Sequence, residues 1–165
     1  MQADDLDAIY AIFADLDTWE LRTPRPPAPL TMAAFRQWYT RILEERDEIE
    51  FAITVQDRLV GRCTLLDLDP LARNAELGIA LGAGERGHGY GTHAVRALAE
   101  FGFERRNLHR IFLQVLASNA PAIAAYRAAG FVEEGRMREH LWLRGSFADQ
   151  LIMGLLRADW RRARP

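Results

Sequence analysis

The sequence predicts one mixed α/β domain of the α+β kind, with a mostly antiparallel central sheet flanked by about four helices. Three observations predict it. Apolar residues recur at helical spacing near the start of the chain. They then alternate with period two across "EIEFAITV" and "LVGRCTLLDL", the pattern of an antiparallel hairpin. A strand, helix, strand, helix series follows, and a last pair of strands closes the chain.

Asp4 or Asp5 caps the first helix, in which Leu6, Ile9, Tyr10, Phe13 and Leu16 share a side. Residues 17–30 read as a loop, because Pro24, Pro26, Pro27 and Pro29 forbid regular structure. Thr31 caps a second helix, with Leu30 and Phe35 as its hydrophobic staple. Phe35, Trp38, Tyr39 and Ile42 carry that helix to about Arg46. The hairpin turns at Asp57-Arg58, and "DPLARN" turns the chain into a third strand, "AELGIAL". Val95, Leu98, Ala99 and Gly102 lie on one side of the next helix. "RIFLQVL" is a strand suited to burial on both faces. "SNAPAIAAYRAAG" is a short helix, with Pro121 in its first turn and Gly130 as its stop. Two strands around Arg144-Gly145 come last, then an arginine-rich tail from about residue 157 that reads as solvated.

The chain has 165 residues, 49% of them apolar and 27% charged, which suits one domain, residues 1–165, with a sizeable core. A formal charge of -2 argues against a nucleic-acid partner. No apolar run approaches the roughly 20 residues that span a bilayer, and no basic-then-apolar leader opens the chain. The expectation is a cytoplasmic protein with no membrane partner. Cys63 is the one cysteine, and His93, His109 and His140 show no metal-ligand spacing, so no metal site is expected. All 21 basic residues are arginine, which removes lysine as a base.

Five glycines stand among residues 82–91, between a strand and a helix. Such a junction offers backbone N–H groups and the positive end of a helix dipole to a phosphate. A P-loop is excluded, for it needs a lysine. Gly82, Gly84 and Gly87 spell the dinucleotide fingerprint, but the next strand ends without the acidic residue that would hold a ribose. The third scheme, R-x-x-G-x-G, fits Arg86, Gly87, His88, Gly89, Tyr90 and Gly91.

With that turn the chain resembles the GNAT superfamily of acetyl-CoA-dependent N-acetyltransferases. Asn119, Ala122, Tyr126, Gly130 and Phe131 match the family's N-x-x-A-x-x-x-Y-x-x-x-G-F pattern. "EEGRMRE" and "FADQLIMGLL" resemble the branch holding ribosomal-protein N-terminal and spermidine acetyltransferases. The resemblance implies a sheet splayed at its centre near residues 78–81, where Ile79, Ala80 and Leu81 flank the coenzyme's pantetheine arm. It implies a cofactor, acetyl-CoA, whose diphosphate is held by Arg86, Gly87, His88, Gly89, Tyr90, Gly91 and Thr92. Asn119 and Ala122 would border the arm, with Arg127 toward the adenosine phosphate.

Family members usually open with a strand before the first helix. Here the helical pattern starts almost at Met1, so the expectation is a sheet lacking that edge strand or a start placed upstream. An edge left open suggests a homodimer contact.

Acetyl transfer needs a neutral amine, a place for the developing oxyanion and a proton for the thiolate. Tyr126 is the candidate general acid. Glu76 is the candidate base, acting through water, as the one carboxylate on the strand leading to the site. Each residue also has a purely structural reading: Tyr126 as a core tyrosine, Glu76 as a solvated carboxylate, Asn119 as a helix cap, His88 as an exposed loop residue. Cys63 reads as packed core. Trp19 and Trp142 read as packing residues or as walls of an acceptor cleft. For the acceptor, a peptide or small-molecule amine, Asp15, Asp17 and Glu20 favour a cation, whereas Arg22, Arg25 and Arg144 favour a carboxylate. Two other functions stay open: a coenzyme-binding module without catalysis, and a dinucleotide-dependent oxidoreductase.

Overall fold

The computed structural model describes residues 5–22, 31–44 and 48–163. Asp4, the four prolines, Leu30, Arg25 and Arg46 lie outside them, as do the side chains of Arg22 and Ile42.

The chain opens with helix α1, Asp5–Ala14, and then departs from the expected loop by forming a second helix, α2, Leu16–Arg22. The cause is local. Asp15 caps α2, its Oδ2 accepting from the Thr18 backbone N–H at 2.8 Å and from the Thr18 hydroxyl. Leu16, read as core, is exposed on this separate helix. Helix α3, Met32–Glu44, starts as expected, with the Thr31 hydroxyl accepting from the Ala34 N–H at 3.2 Å. Ile9, Phe13, Phe35 and Tyr39 join α1 and α3 in a small aromatic core.

Strands β1, Ile49–Val55, and β2, Arg58–Asp69, form the hairpin. Its turn is Gln56-Asp57, one residue earlier than expected. Both residues take positive φ, 50° and 61°, the geometry that keeps a two-residue turn in step with strand twist. After β3, Asn74–Leu81, and a 3-10 turn at Ala83–Glu85, helix α4 spans Tyr90–Arg105. Its Gly102 sits so close to β4 that a Cβ there would lie 2.9 Å from the Ile111 side chain. Strand β4, Arg110–Leu116, helix α5, Ala120–Ala128, and strands β5, Val132–Leu143, and β6, Ser146–Leu156, follow the sequence reading closely.

Two expectations fail by a face and a tail. On β4 Ile111, Leu113 and Val115 are buried on one side, while on the other Leu116 is buried, Arg110 and Phe112 are half-buried and Gln114 is exposed. The tail is not all solvated: residues 157–162 form helix α6, Arg157–Arg162, whose Trp160 ring lies 5.2 Å from that of Phe103. The described helices number six rather than four.

The sheet has six strands in the order β1-β2-β3-β4-β6-β5, every neighbouring pair antiparallel except β3 with β4. Residues alternate between its faces. Cys63, Leu65, Leu77, Ile111, Leu113, Leu151 and Met153 join Val95, Leu98, Phe103, Ile123 and Tyr126 in the main core beneath α4 and α5. Arg62 points the other way, toward Phe13 of α1. No described helix is long and apolar enough to cross a membrane.

Candidate functional site

The site begins where the sheet comes apart. β3 and β4 are parallel neighbours that pair only through residues 74–76 and 110–112. Past that short seam, residues 77–81 and 113–116 diverge, and the backbone edges facing each other have no strand between them.

A cavity of about 570 Å³ occupies the gap and is lined from both faces of the sheet. On the α4–α5 side its wall includes Gly87, Gly89, Gly91, Thr92, Asn119, Ala122 and Tyr126. On the opposite side it includes Thr18, Leu21, Arg62, Thr64, Glu76 and Gln114. The opening passes through the sheet.

The glycine turn is shaped by its backbone. Gly87 and Gly89 both take φ of +82°, a region that suits glycine, and a Cβ at Gly87 would meet no heavy atom within 4 Å. Gly89 is the N-cap of α4 and supplies no side-chain cap, so the first N–H groups of that helix lack side-chain partners. Arg86 stands beside them. Its Nη2 donates to the Thr18 hydroxyl and to the Leu81 carbonyl at 3.5 Å, with Asp15 3.9 Å away.

Asn119 caps α5, its Oδ1 accepting from the Ala122 N–H at 3.3 Å. Two turns on from Asn119, Tyr126 is 8% exposed, and burial pushes its phenol up to about 12. No described residue is hydrogen-bonded to its hydroxyl. Glu76, across the gap, also titrates above the ordinary carboxylate range. Burial is the main cause, the Asp67 carboxylate adds to it, and a hydrogen bond from Gln114 works against it.

Of the predicted site residues, Glu76, Ile79, Ala80, Leu81, Arg86, Gly87, Gly89, Gly91, Thr92, Asn119, Ala122 and Tyr126 meet in this cavity. His88, Tyr90 and Arg127 are not in its wall. The rings of His88 and Tyr90 stack on each other 5.5 Å apart, and Arg127 pairs with Glu133 at 3.5 Å. Trp19 packs against the aromatic core and Trp142 against Phe147, so neither walls the cleft. Cys63 is core, its thiol pushed up to about 11 by burial. His93, His109 and His140 are exposed. No three described His, Cys, Asp or Glu residues gather as a metal site.

Three of the acceptor charges weighed from sequence, Asp17, Glu20 and Arg144, pair with one another. Arg144 of the β5–β6 turn donates to Glu20 at 2.6 Å and to Asp17. Sequence reasoning missed a buried group on the same side, Arg62 with Glu50, Tyr39 and Thr64. An arginine and a threonine at alternate positions of an otherwise apolar strand, "LVGRCTLLDL", were its one signal.

A model of the acetyltransferase (GNAT) domain matches residues 1–132. The spermidine N(1)-acetyltransferase of Vibrio cholerae serotype O1 is 28% identical over 123 residues, which cover 74% of this chain and 71% of that protein. A Bacillus subtilis protein named for ribosomal N-acetylation, YdaF, is 31% identical over 112 residues, covering 68% of this chain and 61% of its own. In structure, the chain superposes on a Vibrio cholerae spermidine N-acetyltransferase crystallised with CoA and spermine at a TM-score of 0.89. That match has 23% identity and covers 98% of this chain and 95% of the other, a likeness of fold.

Proposed function

Because this chain belongs to the GNAT acetyltransferase family, whose members take their acetyl group from acetyl-CoA, we propose that it transfers acetyl to a primary amine by direct attack, with Tyr126 as general acid. The acceptor is a protein N-terminus or a small-molecule amine. The observation that carries this reading is the through-sheet cavity, with Tyr126 and the uncapped start of α4 in one wall and Glu76 in the other.

The residues fit the coenzyme. Left-handed glycines keep Cβ atoms off the turn, and Ala122, Ala124 and Ala125 leave room along α5. N–H groups of residues 87–92 and the Arg86 guanidinium would hold the diphosphate. Asn119 and Ala122 border the arm, while His88, Tyr90 and Arg127, outside the cavity wall, are left for the adenosine end. When bound, acetyl-CoA supplies a thioester carbonyl that an amine can attack.

Glu76 takes, through water, the proton an ammonium must lose before it attacks. Its raised pKa makes it a stronger base than an ordinary carboxylate. Backbone N–H groups of Ile79, Ala80 and Leu81 steady the negative charge that gathers on the carbonyl oxygen. As the C–N bond forms and the C–S bond breaks, Tyr126 would give its phenolic proton to the leaving thiolate and be recharged, through water, by the second proton that the nitrogen sheds on becoming an amide. The products are the N-acetyl amine and the free thiol. A cytoplasmic location and a second copy along the outer strand β1 complete the reading.

Tyr126→Phe keeps the ring and removes the proton. Thiol release should fall by about 100-fold or more, with acetyl-CoA binding kept. An unchanged rate would remove Tyr126 from the mechanism. A thermal shift with NAD and none with acetyl-CoA would favour the oxidoreductase reading instead.

A further inference from the structure

The reaction as described leaves a buried polar chain unused. The Tyr39 hydroxyl donates to Glu50 Oε1, and Arg62 Nε lies 3.2 Å from the same oxygen. Arg62 Nη2 donates to Thr64 Oγ1 at 3.2 Å, and the guanidinium carbon sits 4.9 Å from the centre of the Phe13 ring. Arg62 is 8% exposed and Thr64 1%.

The chain does not close on itself. Arg62 Nη1 is buried with no partner, as is Glu50 Oε2, an acceptor at the far end of the chain from Thr64. Thr64 spends a lone pair on Arg62, and no described residue accepts its own proton. Buried donors are normally satisfied, so donors left over beside a cavity call for an oxygen atom brought by whatever enters it. Arg62 and Thr64 both line the cavity. They stand opposite Ala80 and Gly78, and Leu66 opposite Glu76, which puts all of them on the sheet face where Glu76 lies.

Resting on the acetyl-transfer reading, we propose that Thr64, aimed by Arg62, gives its hydroxyl proton to a carbonyl oxygen beside the acceptor's amine-bearing carbon. The preferred acceptor is then an α-amino carbonyl compound and not a polyamine. Spacing supports this. Thr64 and the residue opposite Glu76 are two positions apart on β2, about 7 Å. Glu76, its water, the amine and a neighbouring carbonyl on Thr64, joined at hydrogen-bond lengths of about 2.9 Å in a bent chain, bridge such a span. Charge supports it too. Glu76 is the one carboxylate among the described residues of the cavity wall, and nearby Asp17 and Glu20 are already paired with Arg144. A polyamine brings several cations, and the described residues of this wall offer them one carboxylate. Thr64 is thus a specificity residue and Arg62 its positioning residue.

The test measures thiol release from acetyl-CoA with L-alaninamide and with spermidine, for wild type, Thr64→Val and Thr64→Ser. The valine variant should lower kcat/KM for alaninamide by about 3- to 10-fold, the size of one lost hydrogen bond, mainly through KM. Spermidine turnover and the KM for acetyl-CoA should hold, and serine should restore alaninamide. Equal losses with both amines, no loss with either, or a wild type that acetylates spermidine alone or neither amine would each overturn the proposal. Failure of the acetyl-transfer reading looks different: no thiol release with any amine, together with no thermal shift on adding acetyl-CoA.

Discussion

The two walls of the cavity are made by opposite means. On the α4–α5 side, two contiguous stretches, residues 86–92 and 119–128, supply nearly everything, and they do so with backbone N–H groups, left-handed glycines and small side chains. On the other side, α2, β2, β3 and β4 each lend side chains, Tyr39 of α3 and Glu50 of β1 stand behind Arg62, and the Arg144–Glu20 contact joins residues 124 positions apart. A wall made of backbone depends on conformation and tolerates little change of shape. A wall made of buried charge depends on pairing, so removing one partner should cost more than removing both.

The sharpest break in this contrast is Arg62→Met, which strands Glu50 in the interior. It should cost about 3–5 kcal/mol of stability, read from the urea midpoint, whereas Arg62→Met with Glu50→Leu should recover most of the loss. If the double variant is no better than the single, packing rather than charge holds this wall. On the backbone side, Gly89→Val forces a branched residue to φ of +82°. The strain, about 1–3 kcal/mol, should weaken acetyl-CoA affinity about tenfold by calorimetry while leaving alternative amines ranked as before. A change in that ranking would mean that the walls are not separable. The smallest effect belongs to Arg144→Ala. Its partners are on an exposed surface, so the melting temperature should move by no more than about 2 °C. A larger drop would make that tether, and not the Asp15 cap, what holds α2.

The same contrast decides what could be read without coordinates. Helix α5 was legible in full because its cap, Asn119, its early Pro121 and its stop, Gly130, are neighbours in the chain. The glycine turn was legible for the same reason, since its two positive φ angles fall on glycines, Gly87 and Gly89. Helix α2 was not. Its cap is a bond between Asp15 and Thr18, and the prolines downstream drew the reading of a loop back over six of its residues, 17–22. Trp160 in the tail found a ring, Phe103, fifty-seven positions away. Arg62 went unread because an arginine in an apolar strand reveals its role only when Glu50 and Tyr39 arrive beside it from β1 and α3. The exposure of Gln114 likewise follows from the gap, since a strand beside an opening has a wet face.

The seam between β3 and β4 holds just three residue pairs. Each half of the sheet is well laced, so the weakest line in the molecule runs through the place where chemistry is proposed to happen. Further rungs between those strands would toughen the protein and, in the same act, shut its workshop. Robustness has to be gained elsewhere, in the aromatic knot of α1 and α3 or in the clasp of α6 on Phe103, and any gain at the centre would count against the protein's own work.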